Sequence, residues 1–199
     1  MILEGIVTTL DLDGTLNIAP MGPQVDASGD MARFTLRPFR SSTTYRNLKA
    51  SGQGVLHVVD DVLLLARAAI GRALDAPTRP AALVNGRILL DACRYYEFRV
   101  TSLDDAEERT TIGAETVESG RLRDPFGLNR AKHAVVEAAI LATRIRILPL
   151  DTILADLDRL APLVDKTGGP AELAAFRLLR DHILSAAQAS PGQGGAPRS

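Results

Sequence analysis

The sequence predicts an α+β fold, a small antiparallel β-barrel followed by C-terminal helices. Three observations carry the prediction. Short extended segments follow one another through tight turns rather than alternating with long helices. The second of them is broken by two prolines and a glycine, which marks an edge. From Asn129 onward the apolar residues recur at helical spacing instead of alternating.

Residues 2–10 and 16–25 form a first hairpin around Asp11-Leu12-Asp13-Gly14-Thr15, where Asp-Gly supplies the positive φ of a tight turn. Pro20, Gly22 and Pro23 make its second strand an edge or bulged strand, open to close approach of a ligand. A third strand spans residues 32–37 and stops at Pro38. Ser41, Ser42, Thr43 and Thr44 then lead into a short helix that Gly52 closes. Residues 55–59 read as a buried strand, and Asp60 or Asp61 caps a helix running to about Leu74. Residues 75–91 read as loop. Two long strands, about 92–103 and 108–118, make a second hairpin through residues 104–107. Asn129 caps a helix with a broad apolar stripe reaching Ile147, and helices over 151–165 and 170–189 follow. The barrel thus occupies residues 1–125 and the helical part of the same unit 126–189, while the Gly-, Pro- and Ser-rich residues 190–199 read as a disordered tail.

Composition narrows the function. In a chain of 199 residues, a net charge of -1 argues against a nucleic-acid partner, yet 20 of the 23 cations are arginine, which forks onto phosphate and carboxylate. A single cysteine, Cys93, and no Cys/His cluster of zinc spacing point to a cytoplasmic protein without a structural metal. No secretory signal is apparent, and apolar runs such as 62–66 fall far short of the roughly 18 residues a membrane span needs.

The segment Leu10-Asp11-Leu12-Asp13-Gly14-Thr15 resembles the first motif of haloacid-dehalogenase-type phosphatases, in which Asp11 would be the nucleophile and Asp13 the acid/base. That fold needs a nucleophile at the end of a central parallel strand. Here a second strand follows Asp-Gly at once, so the hairpin turn is the preferred reading.

The pattern favoured instead is an anion site at the start of the first helix. Four hydroxyl residues, Ser41 to Thr44, are flanked by Arg40 and Arg46, where one hydroxyl would suffice for a cap. His57 reads as a core histidine, Glu97 and Arg99 as solvent-facing strand residues, and His133 with Glu137 as a surface pair. No side chain stands out as a catalytic acid or nucleophile.

Residues 16–23, 37–48, 55–61 and 127–144 together resemble an uncharacterised domain-of-unknown-function family with the FMN-binding split-barrel fold, an antiparallel Greek-key barrel distantly related to flavin reductases. The resemblance implies a homodimer with FMN at the subunit interface and a possible reaction of flavin-reductase type, with NAD(P)H or another small redox substrate as partner. Thr44-Tyr45 match the pair that opens the helix after the phosphate loop in such reductases. On this view Arg40, Ser42, Thr43 and Thr44 hold the phosphate. The backbone around Asn17, Ala19, Met21 and Gly22 lines the flavin ring, and Arg130 and Lys132 add a second clamp or a dimer contact. The alternative is a non-catalytic ligand-binding or assembly protein on the same barrel.

Overall fold

The computed structural model describes residues 1–72 and 75–188. Leu74 and the 190–199 tail therefore lie outside the described residues. The chain divides into two compact units, the first spanning Met1–Gly127 and the second beginning at Leu128.

The first unit contains β1 (Gly5–Leu10), β2 (Leu16–Met21), β3 (Arg33–Leu36), α1 (Thr43–Ser51), β4 (Gln53–Val58), α2 (Val62–Ala69), β5 (Thr78–Pro80), β6 (Arg87–Leu89), β7 (Arg94–Asp104) and β8 (Thr111–Arg121). Six strands form one antiparallel sheet in the order β2-β1-β4-β7-β8-β3. The sheet curls until its two ends meet at Gln24. This residue bridges Ile2 on one side and Thr35 of β3 on the other, exchanging hydrogen bonds of 2.8 and 2.9 Å with Thr35. The barrel is thus closed by one residue pair and split elsewhere.

The first hairpin follows the sequence pattern. Asp11 Oδ1 accepts the N–H groups of Asp13 (3.0 Å) and Thr15 (2.7 Å), and Gly14 takes φ 83°. The carboxylate of Asp11 is thereby an organiser of the turn, on an antiparallel strand rather than at the end of a parallel one. Pro20 of the edge strand β2 stands opposite Ile6. Having no N–H to donate, it turns its backbone outward. Gly22 is explained by packing within the chain: a Cβ there would come within 2.9 Å of the Ile2 side chain.

The barrel interior holds Val7, Phe34, Leu36, Leu56, Phe98 and Ile112, with Tyr45 and Leu48 of α1 packed into the same cluster. Phe34 and Phe98 meet edge to face at 5.3 Å. Ser42 caps α1, and Gly52 ends it at φ 67°. Asp61 caps α2 by accepting from Leu63 and Leu64 N–H, but α2 stops at Ala69, before Gly71 with φ 65°.

Residues 75–91 correct the loop expectation, since β5 and β6 form a small hairpin there. Three buried polar side chains of the main sheet hold this excursion by its backbone. Thr8 Oγ1 donates to Arg87 O at 2.6 Å. His57 Nε2 accepts from Leu89 N–H at 3.1 Å. Glu97 accepts from Ala82, Leu83 and Val84 N–H at 2.8, 2.6 and 3.2 Å. Glu97, expected to face solvent, is 0% exposed because the excursion folds over its face of the sheet. Arg99 does stay exposed and reaches Leu83 O. The long hairpin is also shifted, its connection covering residues 105–110.

The second unit is three helices, α3 (Arg130–Thr143), α4 (Leu150–Thr167) and α5 (Pro170–Gln188). Alanines 131, 134, 138, 139 and 142, with Val135 and Leu141, are the buried residues of α3, and α3 packs against both α4 and α5. The helix ends at Thr143 rather than Ile147. Backbone bonds from Arg144, Ile147 and Leu148 fold the chain into turns before Pro149, the cap of α4. No helix among the described residues is long and apolar enough to cross a membrane.

Candidate functional site

The start of α1 is the candidate site. Ser42, in extended conformation, accepts from Tyr45 N–H at 3.1 Å and donates its own N–H to Phe39 O. The next two N–H groups, those of Thr43 and Thr44, have no partner among the described residues. A helix start with free donors and a positive dipole end is suited to an anion. Around it lie the exposed Arg40, Ser41 and Thr43. Arg46 bonds Ser41 O at 2.8 Å and Thr43 Oγ1 at 2.9 Å, so one guanidinium braces the loop while remaining exposed. The Arg40 guanidinium has no hydrogen bond or ion pair among the described residues.

Thr44 has a different position from Ser42 and Thr43. It is only 2% exposed, and its Oγ1 accepts from Asn17 Nδ2 at 3.1 Å. Asn17 also bonds Thr9 Oγ1, and Asn47 reaches the same oxygen at 3.0 Å. This polar cluster fixes α1 to β1 and β2 and brings Asn17, predicted on one segment, beside Thr44, predicted on another. Ala19, Met21 and Gly22 continue along the half-buried edge strand and its exit.

The connection between β7 and β8 encloses the other side. Phe39 bridges Arg109, Arg40 N–H donates to Glu108 O at 2.9 Å, and Thr110 bonds Pro38 O through both N–H and Oγ1. The Arg109 guanidinium lies 5.6 Å from the Phe39 ring centroid. Asp105, in the same connection, accepts from Tyr45 OH at 2.5 Å and Lys49 Nζ at 2.7 Å, and Lys49 also reaches Tyr45 OH at 3.0 Å. Hydrogen bonds from Lys49 and Tyr45 bring the Asp105 carboxyl down to about 2, and the same bonds raise Lys49. Thr9, Asn47, Asp105 and Arg109 are the site neighbours that the sequence pattern did not expose.

In the second unit Arg130 is exposed at the first turn of α3, without a partner among the described residues. Lys132 is differently engaged: its ammonium lies 3.1 Å from Glu172, which also accepts Gly169 N–H. Asn129 caps Lys132 N–H and Thr167 Oγ1 caps Ala131 N–H, so most donors of this helix start are used.

His57 and Asp60 have structural partners, whereas His133 and Glu137 are exposed and make no ion pair with each other. His57 is fully buried, and because Nε2 accepts, Nδ1 carries the proton and donates to Ile6 O at 3.2 Å. Burial pushes it down to about 4. Asp60 takes both arms of Arg123 and the N–H of Phe126.

A closed-seam antiparallel barrel with a helix start beside its edge strand defines the class by fold, an α+β split barrel. Within it the chain belongs to the family described as protein of unknown function (DUF447): residues 3–123 match its N-terminal domain and 129–181 the C-terminal part. Among solved structures it is similar to an FMN-bound protein of the same family from Methanosarcina mazei. That match has a TM-score of 0.78 and 23% identity, and covers 91% of this chain and 94% of that one. It is also similar to flavoredoxin from Methanosarcina acetivorans, with a TM-score of 0.50 and 10% identity over 60% of this chain and 68% of that one. The flavin reductase of styrene monooxygenase from Pseudomonas putida S12 matches at a TM-score of 0.49 and 15% identity, over 61% and 80%. No curated protein matches the chain in sequence.

Proposed function

We propose that the protein is an FMN-binding flavoprotein and, as a homodimer, an oxidoreductase of flavin-reductase type. The observation that carries this reading is the unpartnered start of α1 beside Arg40, joined by the Asn17–Thr44 bond to the edge strand β2. The FMN-bound relative of the same fold supports it. The donor set fits a phosphate monoester: two free N–H groups, exposed hydroxyls and an unpaired guanidinium.

Arg40, Ser42 and Thr43, with the N–H groups of Thr43 and Thr44, would hold the phosphate. The Thr44 hydroxyl holds the helix start in place through Asn17, and the strand of Asn17, Ala19 and Met21 is the surface offered to the flavin ring. Bound FMN would supply the redox chemistry, accepting hydride from a donor such as NAD(P)H. Arg130, exposed on the second unit, is available to an anion or a second subunit, whereas Lys132 is given to Glu172.

Purified protein should bind FMN more tightly than riboflavin in a fluorescence titration, and Arg40→Ala should weaken FMN by about 10- to 100-fold, the loss of a charged hydrogen bond. Equal affinity for the two flavins overturns the phosphate assignment. The homodimer is tested separately from the flavin. Light scattering at micromolar concentration should give twice 21.3 kDa. A folded monomer that retains FMN overturns the shared-site model.

A further inference from the structure

The residues that would bind the anion sit against an acidic connection. Asp104, Asp105, Glu107 and Glu108 precede Arg109, and Arg40 is tied to this segment by its backbone bond to Glu108. Asp105 lies three residues before Glu108, whose carbonyl takes the Arg40 N–H at 2.9 Å. An unshielded carboxylate on this connection would attract Arg40 and oppose an incoming phosphate, since opposite charges attract and like charges repel by the same law. The structure gives Asp105 other partners. Tyr45, 7% exposed and packed in the barrel core, aims its hydroxyl at Oδ2. Lys49, one helical turn on, bonds the same oxygen and the Tyr45 hydroxyl.

We propose that Lys49 and Tyr45 sequester the Asp105 carboxylate, so that Arg40 remains available to the phosphate; Lys49 is a positioning residue of the anion site and does not touch the anion. This rests on the phosphate reading above. The Lys49 and Asp105 side chains are 56% and 29% exposed, and an ion pair so placed stabilises the fold little. Variants at these two positions should therefore fold.

The test is a double-mutant cycle with FMN and riboflavin as the two probes. Lys49→Met should weaken FMN about 10-fold and leave riboflavin within about 2-fold of wild type, because only FMN carries the charge that the freed Asp105 opposes. Asp105→Asn alone should leave FMN affinity within about 3-fold of wild type or tighten it. Adding it to Lys49→Met should restore FMN affinity to within about 3-fold of wild type. A double variant as weak as Lys49→Met makes Lys49 a direct phosphate ligand and overturns the proposal. So does a Lys49→Met variant that loses both flavins equally, which is a structural defect, or one that loses neither. Wild-type protein that binds both flavins equally overturns the underlying phosphate reading, a result separable from failure of the cycle.

Discussion

Glu97→Ala should lower the melting temperature by roughly 10 °C, an effect as large as that of emptying a core position. The Glu97 carboxylate, itself fully buried, is the acceptor for three successive N–H groups, those of Ala82, Leu83 and Val84. Removing it takes the acceptor from all three, with Val84 N–H left in a buried position and those of Ala82 and Leu83 in partly buried ones. Each such group costs about 1–3 kcal/mol, partly recovered where the freed loop reaches solvent, so a net loss of roughly 3–5 kcal/mol follows. Glu97→Gln keeps one acceptor oxygen and should lose less. The same loss should raise proteolytic cleavage within residues 75–91 before the barrel unfolds. An alanine variant within about 1 kcal/mol of wild type, by thermal or denaturant unfolding, would show that the excursion is held by its apolar contacts alone.

Acid should destabilise the protein in a window set by His57. Its folded value lies at about 4 against an ordinary 6.5, because burial disfavours the charged ring. As pH falls below 6.5 the unfolded chain takes up a proton that the folded chain refuses. The unfolded state then binds more protons, and stability declines with falling pH. The contribution is complete above pH 6.5 and lost progressively toward pH 4, a total of roughly 3 kcal/mol. The lowered Asp105 carboxyl acts in the same direction but further down, between 3.8 and about 2. Denaturant unfolding at pH 7 and pH 4.5 should therefore differ in wild type and differ much less in His57→Gln. A variant with the wild-type pH slope would assign the acid sensitivity to other groups.

The sequence made the hairpins, caps and helices legible because each depends on residues within a few positions of one another. Asp-Gly at 13–14, Ser42 before α1, Asp61 before α2 and Asn129 before α3 all act locally, and the structure uses each as expected. Glu97 was misread because alternation along a strand says nothing about what folds over its outer face. The excursion that covers Glu97 lies about 15 residues away in sequence, with strands of only three residues. The site was half legible for the same reason. Four hydroxyls between two arginines mark the helix start, but the residues that build its walls come from residues 105–110 and from Thr9, more than 30 positions away. Thr44 shows the limit most clearly. Its residue type fits a phosphate ligand, while its depth and the Asn17 bond make it a fastening between helix and strand.

The seam of the barrel has a further effect on how the chain behaves among its own copies. Gln24 alone joins the two ends, which leaves the outward backbone of β2 as an unfinished ladder. Such an edge is a template on which a strand from another molecule can be added, and repeated addition builds fibrils. Pro20 sits next to last in that strand, with its backbone turned outward and no N–H to give. An incoming strand would meet a missing donor near the end of β2, with Pro23 just beyond. The protein can leave this edge unpaired without offering it as a starting point for polymerisation.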